Sequence, residues 1–189
     1  MAVHMKVIQF PLDVNYVNTF LAIDEDTRQA FLVDCGKWDS AVQSYLQEIQ
    51  LNLVFLLVTH SHSDHVGGVE NFQKDYQIPI YSNTDKWEQK VRAGDQIPFA
   101  NQQISVLQTP GHTQDGVSYF VANSVFVGDA IFAGAVGGTT TRENFWQQNN
   151  AVWTNILSLP DETVIYPGHG APSTVGIEKR FNPFFTQQS

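Results

Sequence analysis

Three imidazoles and a carboxylate fall within six positions of the run Thr59-His60-Ser61-His62-Ser63-Asp64-His65-Val66-Gly67-Gly68. A lone histidine at a strand end is usually structural, but this density of ligand-type groups points to metal chemistry. Imidazole and carboxylate donors suit zinc, iron or manganese, and the absence of a thiolate argues against a soft structural zinc site. His60 and His62 are two residues apart, so in extended chain they project to the same side. Asp64 and His65 fall where the chain turns, and Gly67-Gly68 permits a tight entry into a following helix.

The elements that must position these groups are strands. Leu53 to Val58 is a short apolar run, the pattern of a fully buried strand. A buried strand ending in polar residues delivers them to the rim of a sheet, where α/β proteins place their chemistry. The same arrangement recurs downstream. His112 lies in Thr109-Pro110-Gly111-His112, just past the alternating strand Ile104 to Gln108. His169 lies in Pro167-Gly168-His169-Gly170, past Val164 to Tyr166. Asp129 follows Val125-Phe126-Val127-Gly128. Gly and Pro beside each of them fix tight exit loops. Of the six histidines in the chain, only His4 is left over. Met1 to Met5 reads as an added leader with a native start at Met5, so His4 is set aside.

The order His60-x-His62-x-Asp64-His65, then His112, Asp129 and His169, resembles the metallo-β-lactamase fold hydrolase superfamily, and the likeness spans most of the chain. It implies an α/β fold, a four-layer αβ/βα sandwich in one domain over residues 1–189. It further implies two divalent metal ions, zinc first, with iron or manganese also suited. On that likeness His60, His62 and His112 hold one ion, Asp64, His65 and His169 the other, and Asp129 bridges them. Two close cations lower the pKa of a shared water, giving a metal-bound hydroxide at neutral pH. Asp64 is also placed to orient that hydroxide or take a proton, a catalytic role.

Within the superfamily, three segments are similar to short hydroxyacylglutathione hydrolase (glyoxalase II)-like proteins: Gly128-Asp129-Ala130-Ile131-Phe132, Pro167-Gly168-His169-Gly170 and the tail Pro172 to Phe185. The implied activity is hydrolysis of a thioester such as S-D-lactoylglutathione, a small-molecule substrate. There are two departures. The helical domain with which the long glyoxalases grip glutathione has no counterpart after His169. Where short relatives often carry Gly-Arg-Thr-Asp, this chain has Val136-Gly137-Gly138-Thr139-Thr140. Lys179 and Arg180 are candidates for substrate carboxylates, although cations on a terminal helix are more often solvated or structural. Trp146 and Phe132 are candidate pocket walls, with packing as the plain alternative. The other readings are a mononuclear-iron persulfide dioxygenase-like oxidoreductase, with iron on His60, His112 and Asp129, and a lactonase or esterase of the same fold. A binding protein with a relict site is opposed by the completeness of all seven positions.

Composition fits an enzyme of small molecules. With 189 residues, 42% hydrophobic and 15% charged, the chain is long enough for a sizeable core. A net charge of -9 offers no basic stripe for phosphates and argues against nucleic acid. The short intervals His65 to His112 and His112 to Asp129 leave no room for a large RNA-gripping insert. No apolar run suits a membrane span, no signal peptide is apparent, and the expected location is cytoplasmic. The single Cys35 reads as a small core or strand-end residue.

The remaining pattern predicts strands at Lys6–Phe10, Asn18–Ile23, Ala30–Asp34, Val117–Val121 and Ser124–Val127. It predicts helices at Asp39–Ile49, Val69–Tyr76, Thr84–Val91 and Arg142–Leu159, the last with Phe145, Val152, Trp153, Ile156 and Leu157 facing inward.

Overall fold

The computed structural model describes residues 5–186; Met1 to His4, most of the expected leader, lie outside them. The first half builds one sheet. Strands β1 (Met5–Pro11), β2 (Asn18–Asp24) and β3 (Gln29–Val33) form an antiparallel meander. Helix α1 (Ser40–Glu48) then crosses to β4 (Asn52–Leu57), parallel to β3. Its N-cap is Asp39, whose side chain accepts from the Ala41 N–H at 2.9 Å. After β4 come the single turn α2 (Ser63–Val66), α3 (Val69–Tyr76), and the parallel strands β5 (Ile80–Ser82) and β6 (Gln89–Lys90).

The second sheet starts with the antiparallel strands β7 (Gln96–Phe99), β8 (Gln102–Gln108), β9 (Val117–Val121) and β10 (Ser124–Gly128). A small hairpin, β11 (Ile131–Phe132) and β12 (Ala135–Val136), precedes α4 (Arg142–Asn155). Strand β13 (Val164–Pro167) runs parallel to β10, and β14 (Ser173–Thr174) and α5 (Val175–Phe181) close the chain. Each sheet has six strands, ordered β1-β2-β3-β4-β5-β6 and β14-β13-β10-β9-β8-β7.

Strand alternation sorts the core into three layers of contact. From β2, Phe20 and Ala22 point between the sheets, while Leu21 and Ile23 point outward beneath α1 and α3. On the far side Val125 and Val127 of β10 pack with Val152 and Val175 of α4 and α5. The result is the expected four-layer αβ/βα sandwich. Among the described residues, no helix is long and apolar enough to cross a membrane.

Three local expectations are corrected. Thr84–Val91 is no helix: Thr84 Oγ1 accepts from the Lys86 N–H at 3.3 Å in a local turn, and Gln89–Lys90 pairs with β5. Trp87 packs in the outer core and Val91 between the sheets, whereas a helix would place residues i and i+4 on one face. The last long helix stops at Asn155 rather than Leu159: the Leu157 N–H shares the Val152 carbonyl with Ile156 and the Leu159 N–H returns to Ile156, which breaks the i to i−4 ladder, and Pro160 disfavours helical backbone at Leu159. Trp153 does not face inward but is 39% exposed; Gln148 and Asn149 occupy the buried face beside Val152. The two-residue strands of the β11–β12 hairpin are too short to show a period, and β7, although Ile97 and Phe99 alternate with exposed Gln96 and Pro98, spans only four residues and contains a proline; neither is among the expected strands.

Candidate functional site

Strands β8, β10 and β13 all run in one direction, since β9 reverses between β8 and β10 and β13 is parallel to β10. Their C-terminal ends therefore share one rim of the sandwich, and each releases one donor-type residue there: His112, Asp129 and His169. Strand β4 delivers the remainder across the sheet interface. His60 and His62 follow Val58 in extended chain, and Asp64 and His65 lie on α2.

All seven residues singled out in the sequence come together. Three sets have ligand atoms within 4.8 Å of one another: His60, His62 and His112; His60, His65 and Asp129; Asp64, His65 and His169. His62 Nδ1 is 3.1 Å from His60 Nε2 and 3.0 Å from His112 Nε2. The Asp129 carboxylate stands between the groups, with Oδ1 at 3.4 Å from His65 Nε2 and Oδ2 at 3.4 and 3.5 Å from Nε2 of His112 and His169. Asp64 Oδ2 is 3.6 Å from His169 Nε2 and accepts from Asn15 Nδ2 at 3.2 Å.

A second set of partners fixes which ring nitrogens carry protons. Asp34 is buried, and its Oδ1 accepts from the Thr59 backbone N–H at 2.8 Å. Its Oδ2 accepts from Thr59 Oγ1 at 2.7 Å and from His65 Nδ1 at 2.8 Å. The Thr59 hydroxyl has spent its proton on Asp34, so it accepts from His60 Nδ1 at 3.1 Å. His112 Nδ1 donates to the Gly138 carbonyl at 2.6 Å. In their neutral forms His60, His65 and His112 thus present bare Nε2 atoms to the same space, the orientation that such outer partners impose on metal-binding histidines.

That arrangement is unsatisfied by protein alone. His65 Nε2 and Asp129 Oδ1 are buried without a hydrogen-bond partner. His62 Nδ1 faces two bare nitrogens and has one proton at most to offer. Burial and the nearby charge of His65 push His60 down to about 3. Burial opposes charge on His65 too, but Asp34 and Asp129 override it and push that ring up to about 10. Burial raises Asp129 and its histidine neighbours outweigh this, leaving it below the usual carboxylate range. A site that stores one proton between carboxylates and otherwise aims lone pairs inward fits a divalent cation.

Glycine makes the close approach of the loops possible. A Cβ at Gly168 would strike Asp129 Oδ1 and lie 2.6 Å from His65 Cε1. Gly128 has φ of 51°, and a Cβ there would run into the Thr59 side chain.

Other candidates separate. The Phe132 ring lies 6.1 Å from that of His169, as a wall of the site. Trp146 is exposed and leans on Phe145. Lys179 is held by Asp161 at 2.7 Å, a structural pairing, and Arg180 lies over Phe181. Cys35 is buried and braces α2 by accepting from Gly68 N–H and donating to the His65 carbonyl through its backbone. An open surface depression of about 340 Å³, lined by Gln9, Pro11, Tyr16, Asn18, Gly170 and Ala171, includes the residue after His169 but none of the seven clustered residues. Sequence reasoning missed Asp34, Thr59 and Asn15. The signal available was Asp34 at the end of a buried strand, where a carboxylate needs a partner.

Residues 12–104 match the profile of the Metallo-beta-lactamase superfamily. The hydroxyacylglutathione hydrolase GloC of Haemophilus influenzae is 28% identical over 215 residues, spanning 98% of this chain and 100% of that one. A hydroxyacylglutathione hydrolase of Marinomonas sp. is 33% identical over 85% of this chain, which spans 64% of that longer protein. The crystal structure of ETHE1 from Myxococcus xanthus superposes with a TM-score of 0.87 at 31% identity, covering 97% of this chain and 86% of that one.

Proposed function

Because the chain belongs to the metallo-beta-lactamase superfamily, we propose that it is a metal-dependent hydrolase of a small-molecule thioester, S-D-lactoylglutathione or a related acyl compound. The observation that carries the reading is Asp129. Its carboxylate lies within 3.5 Å of histidines from both prospective ligand sets, His112 of one and His65 and His169 of the other, so it would be in reach of an ion held by either. His60, His62 and His112 would hold one ion and Asp64, His65 and His169 the second, with zinc the first choice for this donor set. When bound, two such cations supply a water of lowered pKa and a Lewis acid for the carbonyl under attack.

The chain's own residues supply orientation and proton handling. Asp34 and Thr59 hold His65 and His60 with Nε2 free, and the Gly138 carbonyl does the same for His112. Asp64 keeps an oxygen at the mouth, steadied by Asn15, where it would orient the attacking water or take its proton. The open depression at Gly170 has no charged residue in its lining, which suits an uncharged part of the substrate such as an acyl group. The thioester assignment leans on the hydroxyacylglutathione hydrolases that the chain resembles. A lactone or ester would meet the same site.

The likeness to ETHE1 is compatible with a second reading, a mononuclear-iron persulfide dioxygenase-like oxidoreductase. Purified protein assayed on both substrates separates the two. Loss of the S-D-lactoylglutathione thioester without oxygen uptake supports the hydrolase. Oxygen consumed on glutathione persulfide, with the thioester untouched, overturns it.

A further inference from the structure

The inner face of α4 packs against a sheet otherwise covered by Val152, Ile156 and Leu157, yet it carries a fully buried amide at Gln148. A polar group in such a position is costly unless it is paired. Gln148 Nε2 donates to the Ala130 carbonyl at 2.9 Å and to the Gly137 carbonyl at 3.0 Å. Those two carbonyls are the stems of the β11–β12 hairpin, which leaves the sheet directly after Asp129 and returns directly before Gly138. One amide nitrogen therefore ties together the start and the finish of the excursion with both of its protons, while Gln148 Oε1 is itself buried without a hydrogen-bond partner.

The residues flanking the clamp belong to the site. Asp129 precedes Ala130, and Gly138, whose carbonyl takes the His112 Nδ1 proton, follows Gly137. The His112 loop reaches the same side chain from another direction. Gly111 sits against Gln148 so closely that a Cβ would be 2.6 Å from the Gln148 backbone nitrogen and would also strike its Cβ. Gln148 thus stands where the loops of Asp129, His112 and Gly138 meet.

We infer that Gln148 is a positioning residue of the metal centre, setting Asp129 and His112 as donors by clamping Ala130 and Gly137. The inference rests on the metal-centre reading above and adds a residue to it. Other side chains fail for identifiable reasons. Leucine leaves two buried carbonyls unpaired, asparagine is one methylene short, and an ionised glutamate would set a carboxylate against them.

The test is cobalt binding by the full chain, measured by competition with a chelator and by the visible spectrum of the bound ion. For Gln148→Leu, affinity should fall about 10–100-fold, as for other outer partners of metal ligands, and the cobalt spectrum should change. Gln148→Met serves in the same way if the leucine variant does not fold. Val152→Ala, one turn along the same buried face, controls for simple loss of packing: it should lower the melting temperature and leave affinity and spectrum as in the native chain. Native affinity and spectrum in the Gln148 variant would overturn the inference, as would an equal loss in Val152→Ala. A native chain that bound no cobalt would overturn the metal centre itself and this inference with it.

Discussion

Substituting Asp34 by Asn removes one charge and changes almost no volume, yet it should weaken metal binding at residues that Asp34 does not itself join in ligation. Asp34 Oδ1 accepts from the Thr59 backbone N–H, a donor that cannot change its role. The amide oxygen of Asn must take that place, leaving the NH2 group where Oδ2 received protons from Thr59 Oγ1 and His65 Nδ1. The Thr59 hydroxyl would then accept from Asn and turn its proton toward His60 Nδ1. His65 Nδ1 would likewise become an acceptor. Both rings would be driven to the tautomer that carries the proton on Nε2, the atom each turns toward the centre. Losing one hydrogen bond to a charged partner costs about 1.5–3 kcal/mol. At about 1.4 kcal/mol per tenfold, that is roughly a 10–100-fold weaker zinc complex, the range seen for outer partners of metal ligands. Zinc competition against a chelator measures it, with Thr59→Val as a milder companion that disturbs His60 alone. Zinc affinity in Asp34→Asn within twofold of the native chain would refute the tautomer argument.

Asp129→Ala or His62→Ala should lose most bound metal and most turnover while keeping a native circular dichroism spectrum, because neither side chain belongs to the packed apolar clusters. Full turnover with depleted metal would contradict this. Gly168→Ala should bind metal poorly for a steric reason, its methyl group meeting Asp129 and His65; metal content of the purified variant checks it. The metal-free chain should be most stable near pH 6–7. His65, raised to about 10, stabilises fully below its unfolded pKa of about 6.5 and loses that contribution as pH rises toward 10. His60, lowered to about 3, stabilises above about 6.5 and loses its contribution as pH falls toward 3. Denaturation midpoints that keep climbing from pH 7 to 9 would contradict the His65 sign, and midpoints that climb as the pH falls from about 6 to 4 would contradict the His60 sign.

The seven clustered residues were legible because imidazole and carboxylate at the ends of apolar strands are costly to place without a purpose, and the strands themselves read clearly from their alternation. Their outer partners were not. Asp34 looked like an ordinary strand end, and its partners are 25 and 31 residues away, a separation that periodicity does not encode. Gln148 was hidden by the pattern around it, since its neighbours Val152 and Ile156 suggested an apolar face that continued through Trp153. Thr84–Val91 misled for a related reason. Its spacing suits a helix, but Trp87 and Val91 serve opposite faces of the first sheet, a demand set by the tertiary structure. The sandwich of two sheets was implied by the family likeness, because strand and helix alternation alone suits a doubly wound sheet equally well.

The most direct test of the central claim is to strip the chain with a chelator and restore zinc by equivalents, following S-D-lactoylglutathione hydrolysis and bound metal in the same samples. Two divalent ions per chain, with hydrolysis rising from nothing to a plateau at the second equivalent, is the predicted result. Hydrolysis by the metal-free chain, or failure to bind zinc, would contradict it.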